Sequence, residues 1–278
     1  MSCASCPFRQ SKMREQIRTL KRWVRHPVYS LRQLSVHDYC SPGLVDLPPD
    51  VEKYFPTASR VTSFNLKINH ISRADRRHPQ IGFATWDEAA YLMNVARLFP
   101  EGRGLEVGCW MGWSTLCIAL SGIRMDVIDP GLGESFQGDT VREALRRADV
   151  AGNINLVSGV SPDEVHKLGR QGVRWSFCFV DGDHDGDAPR RDLEAVTAYC
   201  APDAIIVCHD ASSDNIYRAI GDLRGQGWKV KYLQTAVGLG LAWRGNVTPP
   251  SHTPDPAINW PKVGLYPNGA SNVDGNSN

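Results

Sequence analysis

Aspartates crowd one short stretch of the chain. Asp181, Asp183, Asp185 and Asp187 alternate through FVDGDHDGDAPRRDL, with His184 among them. Four carboxylates confined to a cleft cannot all ionise unaided, so the pattern calls for a cation or open solvent beside them. Asp181-x-Asp183-x-Asp185-Gly186, with Asp192 at the twelfth place, imitates a calcium-binding EF-hand loop. Three features oppose that reading: FCFV before it has strand character, Pro189 takes the ninth place, and the twelfth residue is Asp rather than Glu. A second apolar run, IIVC, ends in His209-Asp210. Asp181 and Asp210, each closing a strand, are expected to converge on one hard divalent cation such as magnesium. His209 reads either as a further ligand, although imidazole suits zinc or iron better, or as a satisfied strand-end histidine. A metal so placed lowers the pKa of a bound hydroxyl. His184, three residues past Asp181, titrates near neutrality and is the candidate general base.

A different chemistry is written in Glu106-Val-Gly108-Cys-Trp110-Met-Gly112-Trp-Ser114-Thr115. Gly108 and Gly112 permit a tight turn and close approach of backbone to a ligand. The helix start that follows offers unpaired N–H groups and the hydroxyls of Ser114 and Thr115. The dinucleotide pattern GxGxxG is not matched, and Glu106 before the turn would repel phosphate, which disfavours an NAD-type cofactor. Asp129 follows Glu106 by 23 residues. Alone it reads as a turn aspartate before Pro130-Gly131; with the glycine turn it points to ribose hydroxyls. Gly159, Val160 and Ser161 are placed to frame an adenine edge, though Ser161 reads equally as the N-cap of a helix starting at Pro162. Trp110 and Trp113 offer rings for stacking on adenine or sugar, one of them being expected in the core.

These residues need a scaffold that brings strand ends together. Apolar runs alternate with helical segments from about residue 85 to 243. The spacing predicts helix 86–99, strand 104–107, helix 113–120, strand 125–128, helix 140–148, strand 154–157 and helix 162–168. Strand 176–180, helix 189–199, strand 204–208 and helix 214–225 follow, then strands 228–233 and 238–243. Such alternation signals βαβ units and a mostly parallel sheet covered on both faces. The connection 234–237 is too short for a crossover, so the last two strands form an antiparallel hairpin at the sheet edge.

The flanks differ in composition. Residues 1–40 carry eight Lys/Arg against Glu15 and Asp38. Met13, Ile17, Leu20 and Val24 recur at helical spacing, predicting a basic amphipathic helix over 11–25 that docks as a solvated helix on the main domain, attaches to an anionic surface, or covers an active site or a partner subunit. Residues 41–84 are broken by prolines and read as an irregular cap segment ahead of the alternating region 85–244. Residues 245–278 hold six prolines and one lysine, and read as a mobile or surface-clasping tail. Cys117, Cys178 and Cys208 sit in apolar runs as small buried hydrophobes, while Cys3 and Cys6 read as solvated thiols. With 31 basic and 30 acidic residues the 278-residue chain has a formal charge of +1, and no basic stripe follows residue 40, so nucleic-acid binding is not expected. No apolar run is long enough to span a membrane, and no signal-peptide core is evident; a cytoplasmic location is expected.

Glu106-x-Gly108-x-x-x-Gly112, Asp129 and the seven-strand outline together resemble a class I S-adenosylmethionine-dependent methyltransferase. VDGDH at 180–184, Arg191-Asp192-Leu193 and His209-Asp210 narrow the resemblance to a small-molecule family that includes macrolide-sugar and rhamnosyl O-methyltransferases and cephalosporin hydroxylase-like proteins. It covers about residues 80–243. It implies a Rossmann-like doubly wound sheet and S-adenosylmethionine bound by Glu106, Gly108, Trp110, Gly112, Ser114, Thr115, Asp129, Gly159, Val160, Ser161 and Asp181. The expected reaction is O-methylation of a hydroxylated sugar or natural product, with His184 and Asp181 catalytic. A divalent cation is expected at Asp181, Asp210 and His209, although metal-dependent relatives place two adjacent oxygen ligands where this chain has His209-Asp210. Two other classes fit the scaffold: a hydroxylase-like enzyme, and a non-catalytic nucleoside-binding module working through the N-terminal helix.

Overall fold

The computed structural model describes residues 39–56, 60–65, 70–75, 82 and 84–256. In chain order these form a hairpin, β1 (Arg60–Asn65) and β2 (His70–Asp75), then α1 (Trp86–Ala96), β3 (Arg103–Val107), α2 (Trp113–Ala119) and β4 (Arg124–Ile128). α3 (Ser135–Arg147), β5 (Ile154–Val157), α4 (Asp163–Arg170), β6 (Trp175–Val180), α5 (Ala188–Ala198) and β7 (Cys200–Cys208) follow. α6 (Asp214–Asp222), β8 (Lys229–Leu233) and β9 (Leu239–Arg244) complete the described α-helices and strands. Seven strands make one sheet in the order β5-β4-β3-β6-β7-β9-β8. The first five are parallel, and β9 runs antiparallel to both β7 and β8. The sheet is therefore the expected doubly wound, Rossmann-like one with an antiparallel C-terminal hairpin.

Side-chain alternation along β6 shows how both faces are covered. Phe177 and Phe179 enter the core layer formed with α1, α2 and α3, whereas Cys178 and Val180 enter the layer under α4, α5 and α6. A strand buried on both faces reads as a continuous apolar run, as FCFV does. Cys117, Cys178 and Cys208 are buried and free, as their surroundings predict. The sheet's winding reverses between β3 and β6, which opens a crevice at their carboxyl ends.

Several boundaries differ from expectation. α3 starts at Ser135, five residues before the expected 140, because its polar first turn carries little apolar periodicity. β7 begins at Cys200, where Pro202 masks the strand; the register against β6 shifts there, so residues 201–204 need no partner on that side. α6 ends at Asp222 and tightens into a 3-10 turn over 223–226.

The segment expected as an irregular cap contributes to the core. Leu47, Val51 and Phe55 are buried against α1 and α2, and Asp46 accepts a hydrogen bond from the Trp86 indole at 2.7 Å. The strands β1 and β2 within it were not legible as such. Residues 245–256 clasp the surface. The Pro250 carbonyl accepts from the Tyr91 hydroxyl at 2.9 Å, His252 Nε2 lies 2.7 Å from Asp87 Oδ2, and Thr253 N donates to Ser41 Oγ at 2.8 Å. The expected basic helix, Cys3, Cys6 and the remainder of the tail lie outside the described residues. Among those described, no helix is long and apolar enough to cross a membrane.

Candidate active site

The first turn of the site is shaped by glycine. Gly108 and Gly112 take φ of 81° and 89°, and Gly112 starts α2. Between them Trp110 also has a positive φ, 47°, a conformation non-glycine residues adopt at a cost and chiefly at functional sites. What holds this turn is Asp129. Its Oδ2 accepts from the backbone N–H groups of Cys109 and Trp110 at 2.9 and 3.0 Å, and its Oδ1 from Gly131 N and Gln137 Nε2 at 2.8 and 2.9 Å. The aspartate expected at a ribose is thus also the staple between the ends of β3 and β4.

A cleft of about 630 Å³ opens above these strand ends. Gly108, Trp110, Ser114, Asp129 and Asp181 line it, as do Gly159, Val160 and Ser161 from the loop after β5. Trp110 is 44% exposed at its edge, and Trp113 packs inward against Phe55 and Trp86. Ser161 does not cap α4; its hydroxyl donates to Asp192 Oδ1 at 2.7 Å. Glu106 and Thr115 depart from expectation. Glu106 is fully buried, and its two carboxyl oxygens accept from Ser114 Oγ and Thr115 Oγ1. It ties α2 to β3 and does not reach the cleft wall. Burial pushes its carboxyl up to about 8, against the pull of the two hydroxyls.

Strand register brings the acidic cluster together. The backbone ladder continues past the strand ends, with Asp181 N donating to Val107 O and His209 N to Val180 O. Asp181 therefore sits between the glycine turn and the end of β7. His184 Nε2 lies 3.4 Å from Asp181 Oδ1, and its Nδ1 3.8 Å from Asp210 Oδ2. Asp210 is held at φ 52°, another strained non-glycine residue. Asn215 of α6 donates to the His184 carbonyl at 3.2 Å, fixing the loop. His184 stands in a small hollow next to the main cleft and shares Gly182, Asp183 and Asp192 with it.

His209 is not where a simple ligand would be. It is 2% exposed, with Nδ1 3.3 Å from Asp181 Oδ1 and 3.1 Å from Asp210 Oδ2. Nε2 faces the carboxylate of Glu88, a buried residue of α1, at 3.6 Å. The donors gathered closely enough for one cation are Asp181, His184 and Asp210, all within 4.8 Å of one another, so His184 stands where His209 was expected. Burial opposes charge on His209, yet the surrounding carboxylates outweigh it and raise its pKa well above the usual value. Burial likewise opposes ionisation of Glu88, but His209 and its hydrogen bonds hold the carboxyl down at about 2. Glu88 escaped the sequence reading because Thr85-x-x-Glu88 reads only as a capping box opening a helix, which it also is.

Comparison with known proteins agrees with this geometry. Residues 105–211 match a family model described as a methyltransferase domain. The fold is similar to an O-methyltransferase from Bacillus cereus solved with S-adenosylhomocysteine: 16% identity, TM-score 0.50, 56% of this chain and 80% of that one. It is similar also to TomG, the Streptomyces achromogenes O-methyltransferase of tomaymycin synthesis solved with S-adenosylmethionine: 22% identity, TM-score 0.51, 60% of this chain and 83% of that one. No curated protein matches the chain in sequence. The glycine turn, the strand-end aspartates and the family match thus coincide on one stretch: residues 105–211 match a methyltransferase domain, and the chain has the class I fold seen in the two O-methyltransferases solved with S-adenosylhomocysteine and S-adenosylmethionine.

Proposed function

We propose that the chain transfers a methyl group from S-adenosylmethionine to a hydroxyl oxygen of a small molecule, a sugar or another natural product, with His184 as general base. The observation that carries the reading is an imidazole set between two carboxylates, Asp181 and Asp210, with Asp181 also forming the wall of the cofactor-sized cleft. S-adenosylmethionine supplies an activated methyl on a sulfonium. The cleft suits it: Gly108 brings backbone to its wall, Asp129 and Ser114 present oxygens, and Val160 and Trp110 offer apolar surface, while Gly112 lies outside the lining with its α-carbon turned toward Val141. Its volume falls within the range of small-molecule and cofactor sites. The two similar structures are named as O-methyltransferases, which favours oxygen as the acceptor atom.

Asp181 faces Nε2 of His184; Nδ1, 3.8 Å from Asp210 Oδ2 and beyond hydrogen-bond reach of it, is the nitrogen that takes the hydroxyl proton as the oxygen attacks in line. The same contact with Asp181 is the main reason the His184 pKa is raised above 6.5; partial burial opposes it and the charge of Asp210 adds to it. A more basic imidazole is a stronger proton acceptor once it is neutral. The test is His184→Gln with hydroxylated acceptors: retained cofactor binding with lost turnover supports the base, and full turnover rejects it.

A second reading rests on the cluster of Asp181, His184 and Asp210. Those donors fit a divalent cation, which would acidify the acceptor hydroxyl and engage His184 as a ligand. Chelation separates the two: activity that survives EDTA leaves His184 as the base, and activity restored by added magnesium assigns the metal.

A further inference from the structure

Glu88 and His209 are both fully enclosed, and neither belongs to the cleft wall. Glu88 is held from two sides. Its Oε2 accepts from Thr85 N at 2.8 Å and Thr85 Oγ1 at 3.0 Å, and its Oε1 from Val237 N, in the β8–β9 connection, at 3.3 Å. The side chain is thereby aimed at Nε2 of His209, a buried nitrogen that makes no hydrogen bond and whose facing acceptor is Glu88 Oε2 at 3.6 Å. At the other edge of the same ring, Nδ1 meets Asp210 and Asp181. An imidazole with carboxylates at both edges satisfies them only as a double donor. Phe179 packs against the ring at 6.1 Å, nearly perpendicular, and restricts its rotation.

A capping box asks of its third residue only an acceptor, which Gln supplies as well as Glu. A carboxylate this deeply buried is costly unless it faces a cation. The cap alone therefore does not call for a carboxylate at this position, whereas the ring of His209, 3.6 Å from its Oε2, gives it a donor to face. Glu88, His209, Asp181 and His184 follow one another in an unbroken series, each within 3.6 Å of the next.

We propose that Glu88 is a positioning residue for methyl transfer: acting through His209, it keeps the Nδ1–H group on Asp181 and Asp210 and so fixes the carboxylates that orient His184. This rests on the reading of His184 as the base. Small displacements of a reacting group cost up to about 100-fold in rate, so the loss expected on releasing His209 is roughly 10- to 100-fold in kcat.

The test compares Glu88→Gln, which keeps the shape and the capping acceptor but not the charge, with Thr85→Ala, which removes the cap and leaves the charge. Methyl transfer, S-adenosylhomocysteine affinity and thermal midpoint are measured on each full-length variant. Glu88→Gln is expected to lose kcat while S-adenosylhomocysteine affinity stays within about threefold, a difference below 1 kcal/mol by the usual conversion. Thr85→Ala is expected to lower the melting temperature while losing much less kcat than Glu88→Gln, because the Thr85 and Val237 backbone N–H groups still hold the carboxylate. His209→Asn must reproduce the kcat loss, and the double variant Glu88→Gln/His209→Asn must lose no more than His209→Asn alone, since coupled residues are non-additive. Wild-type kcat in Glu88→Gln overturns the proposal, as do independent, additive losses in the double variant. If Glu88→Gln does not fold, full kcat in His209→Asn overturns it equally. Wild-type protein that neither binds S-adenosylhomocysteine nor transfers methyl defeats the underlying function instead.

Discussion

Gly108 and Asp181 touch through their backbones: a side-chain carbon built at 108 overlaps the carbonyl oxygen of Asp181 and comes within 3.1 Å of Gly182 Cα. The glycine turn after β3 and the strand end that carries Asp181 are thus one rigid unit. Gly108 also holds φ at 81°, which an L side chain rarely adopts. Gly108→Ala should therefore cost about 2 kcal/mol or more of stability, read by urea unfolding. It should also weaken S-adenosylhomocysteine binding and turnover together. A variant with intact binding and stability would show that the contact does not matter.

His184 should set the low-pH limb of activity. Its active form is neutral and its pKa is raised, so kcat/KM falls as pH drops through a value above 6.5. Asp210 contributes to that rise through its charge. Asp210→Asn should shift the limb toward lower pH, measured in a pH–rate series; a limb that stays in place assigns the titration elsewhere.

Asp129 holds two N–H groups of the glycine turn in addition to facing the cleft. Asp129→Asn turns one acceptor oxygen into a donor and leaves buried N–H groups unpaired. Losses of about 1–3 kcal/mol follow from such orphans. Calorimetry should show S-adenosylhomocysteine affinity reduced by roughly 10-fold or more. Near-native affinity would show that the turn holds its shape without this carboxylate.

Glu106 makes stability fall as pH rises. Its carboxyl is raised from 4.5 to about 8 by burial. Below pH 4.5 it is protonated in both folded and unfolded chains, and its contribution is fully present. Between 4.5 and 8 the unfolded chain ionises first and that contribution is lost, by about 1.4 kcal/mol per pH unit at most. Glu106→Gln should remove this slope from urea-unfolding curves taken across the window. Parallel pH dependences for wild type and variant would contradict the assignment.

The parallel core was legible because its strands announce themselves. LEV, VI, FCFV and IIVC are apolar-rich runs, and the residues following each run lie at the cleft or beside it. That rule singles out Gly108, Asp129, Asp181, His184 and Asp210, which the structure places in the cleft wall, in the hollow beside it or, for Asp210, next to His184. Glu106 and Thr115 share the same signature, but their side chains turn toward each other, which spacing does not disclose. Glu88 was missed because its partner His209 lies 121 residues away, and helix periodicity says nothing about which strand end a helix start will face. The packing of Leu47, Val51 and Phe55 was hidden by the prolines around them, which mark irregular backbone whether or not it is buried.

The most direct measurement is calorimetric titration of the folded chain with S-adenosylhomocysteine, S-adenosylmethionine and NAD. One-site binding of the two methionine-derived ligands, with no response to NAD, is the expected result. Failure of the folded chain to bind either of them, or preferential binding of NAD, would contradict the assignment of the cleft.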